Sequence, residues 1–379
     1  VIRFAPDPLT KQSLQDVCFP FYFDSYTAER LKNSMKEFRV SFLVSALCIG
    51  VAGWWGTQHS MGLWTALWLV TVLAVLEVSL SFDNAVVNAG VLKGMSEFWR
   101  QAFLTVGILV AVFGMRLVFP IVIVSFSGGI STMDTIQMAL NEPTQYSQVL
   151  TAAYPVISAF GGMFLLLVFL NFLFDSNKET HWLGALEERL TKLAKFDEIS
   201  VFIALCAIFS TRWWVPEAEQ SRVFVAGVMG VLLYLAVDAV GALFENEEEG
   251  DAAVKTIQRS GFASFLYLEV LDASFSFDGV IGAFAITKDV VIIMLGLAIG
   301  AMFVRSMTVY LVNRGTLNEY IYLEHGAHYA IGALALIMLL GTTVHVSEVI
   351  TGLIGVGFIG ASVWSSLRHR KKHPEHYAT

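Results

Sequence analysis

The feature that most constrains this chain is a succession of apolar runs, many about 20 residues long, separated by short polar stretches. About 20 apolar residues in a helix cross the roughly 30 Å hydrocarbon layer of a bilayer. Within that layer only helices and closed barrels satisfy their own backbone hydrogen bonds. Ten runs can be read: Phe38–Trp55, Gly62–Gly90, Phe98–Phe126, Ala153–Phe174, Ile199–Trp213, Val223–Phe244, Gly261–Thr287, Val290–Val312, Ala327–Thr343 and Val346–Ser365. The expected fold is an all-α, polytopic membrane bundle of about ten transmembrane helices. Composition agrees, since 379 residues with only 15% charged side chains could not coat a soluble domain of this size. Residues 1–38 read as an interfacial or partly disordered lead-in, 39–366 as one membrane domain, and 367–379 as a basic cytoplasmic tail. The first apolar run begins near Val40, so no cleavable signal peptide is read. Cys18, Cys48 and Cys206 are scattered and read as free packing residues.

Basic residues set the expected orientation, because Lys and Arg concentrate in cytoplasmic loops. With ten spans and both termini inside, 19 of the 24 Lys and Arg residues fall on the cytoplasmic side. Outside lie Arg212, Arg222 and Lys288, and within spans Arg116 and Arg305. The fifth run is the shortest, and losing it would reverse half of this assignment.

The second and seventh runs repeat one another. Glu77-Val-Ser-Leu-Ser-Phe-Asp83-Asn84 matches Asp272-Ala-Ser-Phe-Ser-Phe-Asp278-Gly279, and each segment is followed about 30 residues later by an intramembrane arginine, Arg116 or Arg305. An odd offset of five spans means that the copies, about 60–175 and 255–365, cross the membrane in opposite senses. That is the inverted-topology repeat with which many secondary transporters build a midplane site.

Charged groups inside a bilayer are costly unless paired, hydrated or metal-bound, so these acids carry a functional expectation. On a regular helix Glu77, Ser81, Asn84 and Asn88 share one face, as do Glu269, Asp272, Ser276 and Gly279. Asp83 and Asp278 point roughly 120° or more away. They therefore serve a second face, or the helix breaks near Ser79–Ser81 and Gly279. All donors here are oxygens, which suit hard or borderline divalent cations such as Mn²⁺, Mg²⁺ and Ca²⁺. Facing acids cannot all ionise unpaired, so protons should compete with the cation. The structural alternative is that Arg116 and Arg305 neutralise Asp83 and Asp278 as packing ion pairs.

Other residues carry weaker expectations. Asp238 either joins the cluster or faces a water cavity. His345 and Glu348 read as interfacial, Glu324-His325-Gly-Ala-His328 as a solvated loop end, and Asp175, His181 and Asp197 as surface. Glu245, Glu247, Glu248, Glu249 and Asp251 form an acidic loop. No phosphate-binding loop, zinc-protease motif or nucleophile elbow is present, so an enzyme is not expected, and basic clusters confined to the loops and tails that topology explains argue against a nucleic-acid binder.

The two motifs resemble those of the TerC family of bacterial membrane proteins. Glu77, Leu80, Asp83 and Asn84 fit its first pattern, Glu-x-x-Leu-x-x-Asp-Asn. Glu269, Asp272, Phe275 and Asp278 fit its second, Glu-x-x-Asp-x-x-Phe-x-x-Asp-Ser, with Gly279 in place of the Ser and the following Pro absent. The resemblance implies metal-ion homeostasis in the bacterial cytoplasmic membrane, with Mn²⁺ export as the leading activity. Glu77, Asp83, Asn84, Glu269, Asp272 and Asp278 would be cation ligands or proton carriers. Ser81, Asn88, Arg116, Asp238, Ser276 and Arg305 would support them. No tightly bound cofactor is expected. The expected partners are the bilayer, a divalent cation, protons and a second copy of the chain. Two other readings stand beside this one, a non-transporting metal-binding or partner-binding module and an exporter of another small solute.

Overall fold

The computed structural model describes residues 37–107, 109–176, 178, 180–192, 198–245, 261–344 and 346–372, with the side chains of 241–245, Phe277, Asp278, Asn318 and Glu348 left out. Outside the described residues therefore lie most of the lead-in with Cys18, Asp197, nearly all of the acidic loop, His345 and the end of the basic tail. The side chains of Asp278 and Glu348 lie outside them too.

Every regular element among the described residues is helical. The helices are α1 (Arg39–Gln58), α2 (Leu63–Leu80), α3 (Phe82–Lys93), α4 (Glu97–Gly128), α5 (Thr132–Asn141), α6 (Pro143–Phe174) and α7 (Ala185–Thr191). They continue with α8 (Ile199–Ser210), α9 (Glu217–Glu245), α10 (Gly261–Ile286), α11 (Val290–Arg314), α12 (Leu323–Gly341) and α13 (Glu348–Lys372). Eight are long and apolar enough to cross a membrane: α1, α2, α4, α6, α9, α11, α12 and α13. The chain is thus a multi-pass membrane bundle.

The remaining two expected spans depart from the apolar pattern for different reasons. Helix α10 has 26 residues, and so has the length, but Glu269, Asp272 and Asp278 interrupt its apolar character. Helix α8 has 12 residues, followed by one 3₁₀ turn over Thr211–Trp213, and is too short to cross by itself. The fourth run begins earlier than expected, at Pro143, whose fixed φ suits a first helical turn. The separate helix α5 before it was not expected; Ser131 caps it by accepting from the Asp134 N–H at 3.2 Å.

Helix directions follow from point contacts. Ser41 Oγ donates to the Met302 carbonyl at 2.6 Å, and Trp55 Nε1 donates to Asp289 Oδ2 at 3.0 Å, so α1 and α11 are antiparallel. Gly296 faces Leu73 and Gly300 faces Glu77, so α2 and α11 are parallel. Trp99 and Phe103 pack on Phe265 and Gly107 faces Glu269, so α4 and α10 are parallel. Arg100 bonds the Leu92 carbonyl while Arg116 meets Glu77, so α4 runs against α2–α3. The motif helices α2–α3 and α10 therefore run in opposite directions, as an inverted repeat requires. Each arginine-bearing helix lies parallel to the motif helix of the other half.

Small residues permit these close approaches, which drive helix association where lipid is as apolar as the side chains. A side chain on Gly300 would collide with Glu77, and one on Gly107 with the Glu269 carboxylate. Two buried apolar clusters result. One gathers Leu73, Val70, Ile292 and Leu297, the other Leu92, Phe164, Leu268 and Ile331 together with Phe275 of the second motif.

Candidate cation site

The first motif is broken at Ser81. Helix α2 ends at Leu80, Ser81 takes φ −105° and ψ 17°, and α3 starts at Phe82. Ser81 Oγ donates to Glu77 Oε1 at 3.1 Å, and the Ser81 N–H still reaches the Glu77 carbonyl at 3.0 Å, so the interruption bends the helix path without opening it. The break settles the ambiguity over Asp83. Both expected outcomes hold for it: the helix is interrupted, and Asp83 turns to a second face, toward Gly355 on α13. There its Oδ1 accepts from the Asn84 N–H at 3.0 Å. The second motif is not broken. Helix α10 runs through Gly279, which corrects the expected interruption there. Gly279 instead supplies room, because a Cβ at this position would stand 2.7 Å from Glu77 Oε2.

Glu77 is 1% exposed and Arg116 is 6% exposed, and they form an ion pair through Arg116 Nη2. The expected alternative, arginine on Asp83, is not what the fold adopts. Arg116 Nη1 also donates to the Ala111 carbonyl at 2.5 Å. Arg305 directs Nε at 2.8 Å, and also Nη2, to the Leu104 carbonyl. Leu104 and Ala111 lie in the stretches of α4 that widen into π-helical turns, Phe103–Gly107 and Val110–Val118. Such turns recur at functional sites, and here two guanidinium groups hold their carbonyls.

The two halves meet at Asp272. Asn84 Nδ2 donates to Asp272 Oδ1 at 2.5 Å, and the Asn88 side chain bonds the same carboxylate. Beside this junction lies a cavity of about 40 Å³, room for two or three waters. Ser81, Asn84, Asn88, Arg116, Asp272, Arg305 and Thr308 supply its polar lining. Among the described residues, four buried polar atoms in this region lack a hydrogen-bond partner: Asn84 Oδ1, Asn88 Oδ1, Arg116 Nε and Glu269 Oε1.

The fold thus brings Glu77, Ser81, Asn84, Asn88, Arg116, Asp272 and Arg305 together. Glu269 lies one helical turn from Asp272, against Gly107. Asp83 faces α13, Ser276 is buried in α10, and Asp238 is exposed on α9, away from the cavity lining. Among the described residues no three His, Cys, Asp or Glu side chains are grouped to hold a metal ion. A cation here would draw on Glu77 and Asp272 together with hydroxyl and water oxygens. Sequence reasoning missed Thr308 and the glycines. A signal for the latter existed, since Gly107 and Gly296 each stand nine residues before their arginine.

A second polar cluster lies outside this site and corrects another expectation. Glu324 and His325 open helix α12 rather than ending a solvated loop, and His325 is 3% exposed. Its Nε2 lies 2.9 Å from the Thr180 carbonyl and 3.5 Å from Glu187. His328 stacks on Phe172. Glu187 is fully buried and accepts from Lys178 Nζ at 2.6 Å and from the Leu183 N–H at 3.2 Å. Burial pushes the Glu187 carboxyl upward, but the Lys178 hydrogen bond and charge, with the Leu183 N–H, hold it below its usual range.

One family profile, described as a protein of unknown function (DUF475), matches residues 82–373. The chain belongs to the DUF475 family. The match runs from the start of α3 past the end of α13, so it takes in Asp83, Asn84, Arg116, Asp272 and Arg305 and begins just after Glu77. Searches of curated proteins and of solved structures found no match to this DUF475 chain.

Proposed function

We propose that the chain exports divalent cations, Mn²⁺ foremost, by exchanging ion and proton on intramembrane carboxylates. The choice of Mn²⁺ rests on the resemblance of the two motifs to the TerC family and on the all-oxygen donor set. One observation carries the reading: the Asn84–Asp272 bond joins the two oppositely directed halves through an amide and a carboxylate, beside a cavity with Ser81, Asn88, Arg116 and Arg305 in its lining. Glu77 and Asp272 supply the charge, and the Ser81 hydroxyl supplies a neutral oxygen. Together with water they approach the six-oxygen shell that Mn²⁺ and Mg²⁺ favour. Two acids in one polar cluster, with one guanidinium on Glu77, favour taking up a proton when the ion leaves. Asp83, which is buried, and Glu269, which is half-buried, lie outside the cavity lining and are the proton carriers of this scheme. The protein acts in a bacterial cytoplasmic membrane with both termini inside, and it is not an enzyme.

Flux of Mn²⁺ into inverted vesicles tests the proposal, with and without an imposed pH gradient. The natural chain should need the gradient, and Asp272→Asn and Asp83→Asn should each abolish flux. Normal flux in both variants would sink the reading. One observation favours an exporter of another solute: two guanidinium groups line the cavity, as an anionic group would require. The cavity is too small for an organic solute as it stands, so the ion is preferred. Proton movement that is driven by an organic anion and indifferent to Mn²⁺ would reverse that preference.

A further inference from the structure

The polar atoms left without partners are not scattered. One buried donor, Arg116 Nε, and two buried acceptors, Asn84 Oδ1 and Asn88 Oδ1, belong to residues lining the same cavity. A buried polar group without a partner is costly, so this pose of Arg116 leaves the arginine and both asparagines incompletely satisfied. The asparagines stand four residues apart on α3, one turn along the same face, and offer a guanidinium two neutral oxygens at once. Arginine cannot leave Glu77 by losing its proton, because it stays charged at any accessible pH. It can leave only by moving. Its backbone lies in the widened π-helical stretch of α4.

We propose that Arg116 is a tethered competitor for the cargo cation. It holds Glu77 while the ion is absent, and it moves to the amide oxygens of Asn84 and Asn88 when the ion takes Glu77. This rests on the reading that Glu77 and Asp272 hold the cargo. The exchange keeps Glu77 neutralised in both states and opposes permanent occupation, since the returning guanidinium displaces the ion. Arg305 does not share the role: two of its N–H groups converge on the Leu104 carbonyl.

The test is Mn²⁺ titration of the full chain in detergent, followed by electron paramagnetic resonance, with flux measured in proteoliposomes. Arg116→Gln should bind Mn²⁺ about tenfold more tightly, because the competitor is gone, while flux is lost for want of release. Asn88→Leu should weaken binding, because Arg116 then stays on Glu77. In the Arg116→Gln background, Asn88→Leu should have no further effect, which an ordinary loss of a ligand or of the Asp272 bond would not give. Unchanged or weaker binding in Arg116→Gln, with binding abolished by Asp272→Asn, overturns this inference and leaves the cargo reading standing. Binding that survives Asp272→Asn removes the cargo reading itself, and this inference with it. Should Arg116→Gln not fold, Arg116→Lys replaces it, since an ammonium lacks the fork that spans Glu77 and Ala111. Tighter binding is again expected, and equal binding in Arg116→Lys and Asn88→Leu overturns the inference.

Discussion

The two halves of the bundle share a plan but spend their charges differently. In the first half the arginine meets an acid of its own motif, Glu77, and the motif helix breaks at Ser81. In the second half the motif helix is continuous, and Arg305 meets a backbone carbonyl of the first half. Asp272, the counterpart of Glu77, is held by asparagine amides instead of a guanidinium. An inverted repeat therefore need not give equivalent sites. Once the halves interlock, each side chain answers to the neighbours that packing provides, and here one half holds the buried ion pair while the other offers the less neutralised carboxylate.

The comparison can be broken most sharply at the arginines. Glu77→Ala leaves Arg116 buried without its counter-ion and should cost about 3–5 kcal/mol. Arg305→Ala loses charge-assisted bonds to one carbonyl and should cost about 1.5–3 kcal/mol. Unfolding of the full chain in mixed micelles reads both, and equal losses would mean that the halves are energetically alike. A smaller difference is expected at the glycines. Gly300→Ala meets the Glu77 stem and the Ala74 backbone and should cost about 1–3 kcal/mol, whereas Gly107→Ala meets the far end of Glu269 and the edge of the Phe103 ring, both side chains that can shift, and should cost under about 1 kcal/mol. The same unfolding assay checks this pair, and the reverse order would contradict the interlocking described. The smallest effect separates two serines. Ser81→Ala removes the bond to Glu77 and should cost about 0.5–1.5 kcal/mol, while Ser274→Ala, which loses only a bond to the Val270 carbonyl, should cost less.

Much of this architecture was legible in the order of residues. The spans were visible because bilayer thickness imposes a length of apolar sequence that nothing else requires. The repeat was visible because Ser-Phe-Asp recurs with matching acids and a following arginine, and its odd spacing in spans implied inversion. The acids at the site were visible because charge in a bilayer needs a reason. Helix α5 and the Lys178–Glu187–His325 cluster were not, because a short polar helix and a buried loop carry no comparable constraint.

Partner choice was a matter for tertiary structure alone. The sequence offered Asp83 to Arg116, and the fold gave it Glu77. Each residue turns a side chain by about 100° on a helix, so the interruption at Ser81 decides which acid faces α4 and which faces α13. Local periodicity, length and charge therefore determined that this is a multi-pass bundle of two inverted halves with acids at its centre. Which acid is paired, which is held by amides, and where a cavity remains depended on helix rotation and contact across some 200 residues of chain, as in the bond from Arg305 to Leu104.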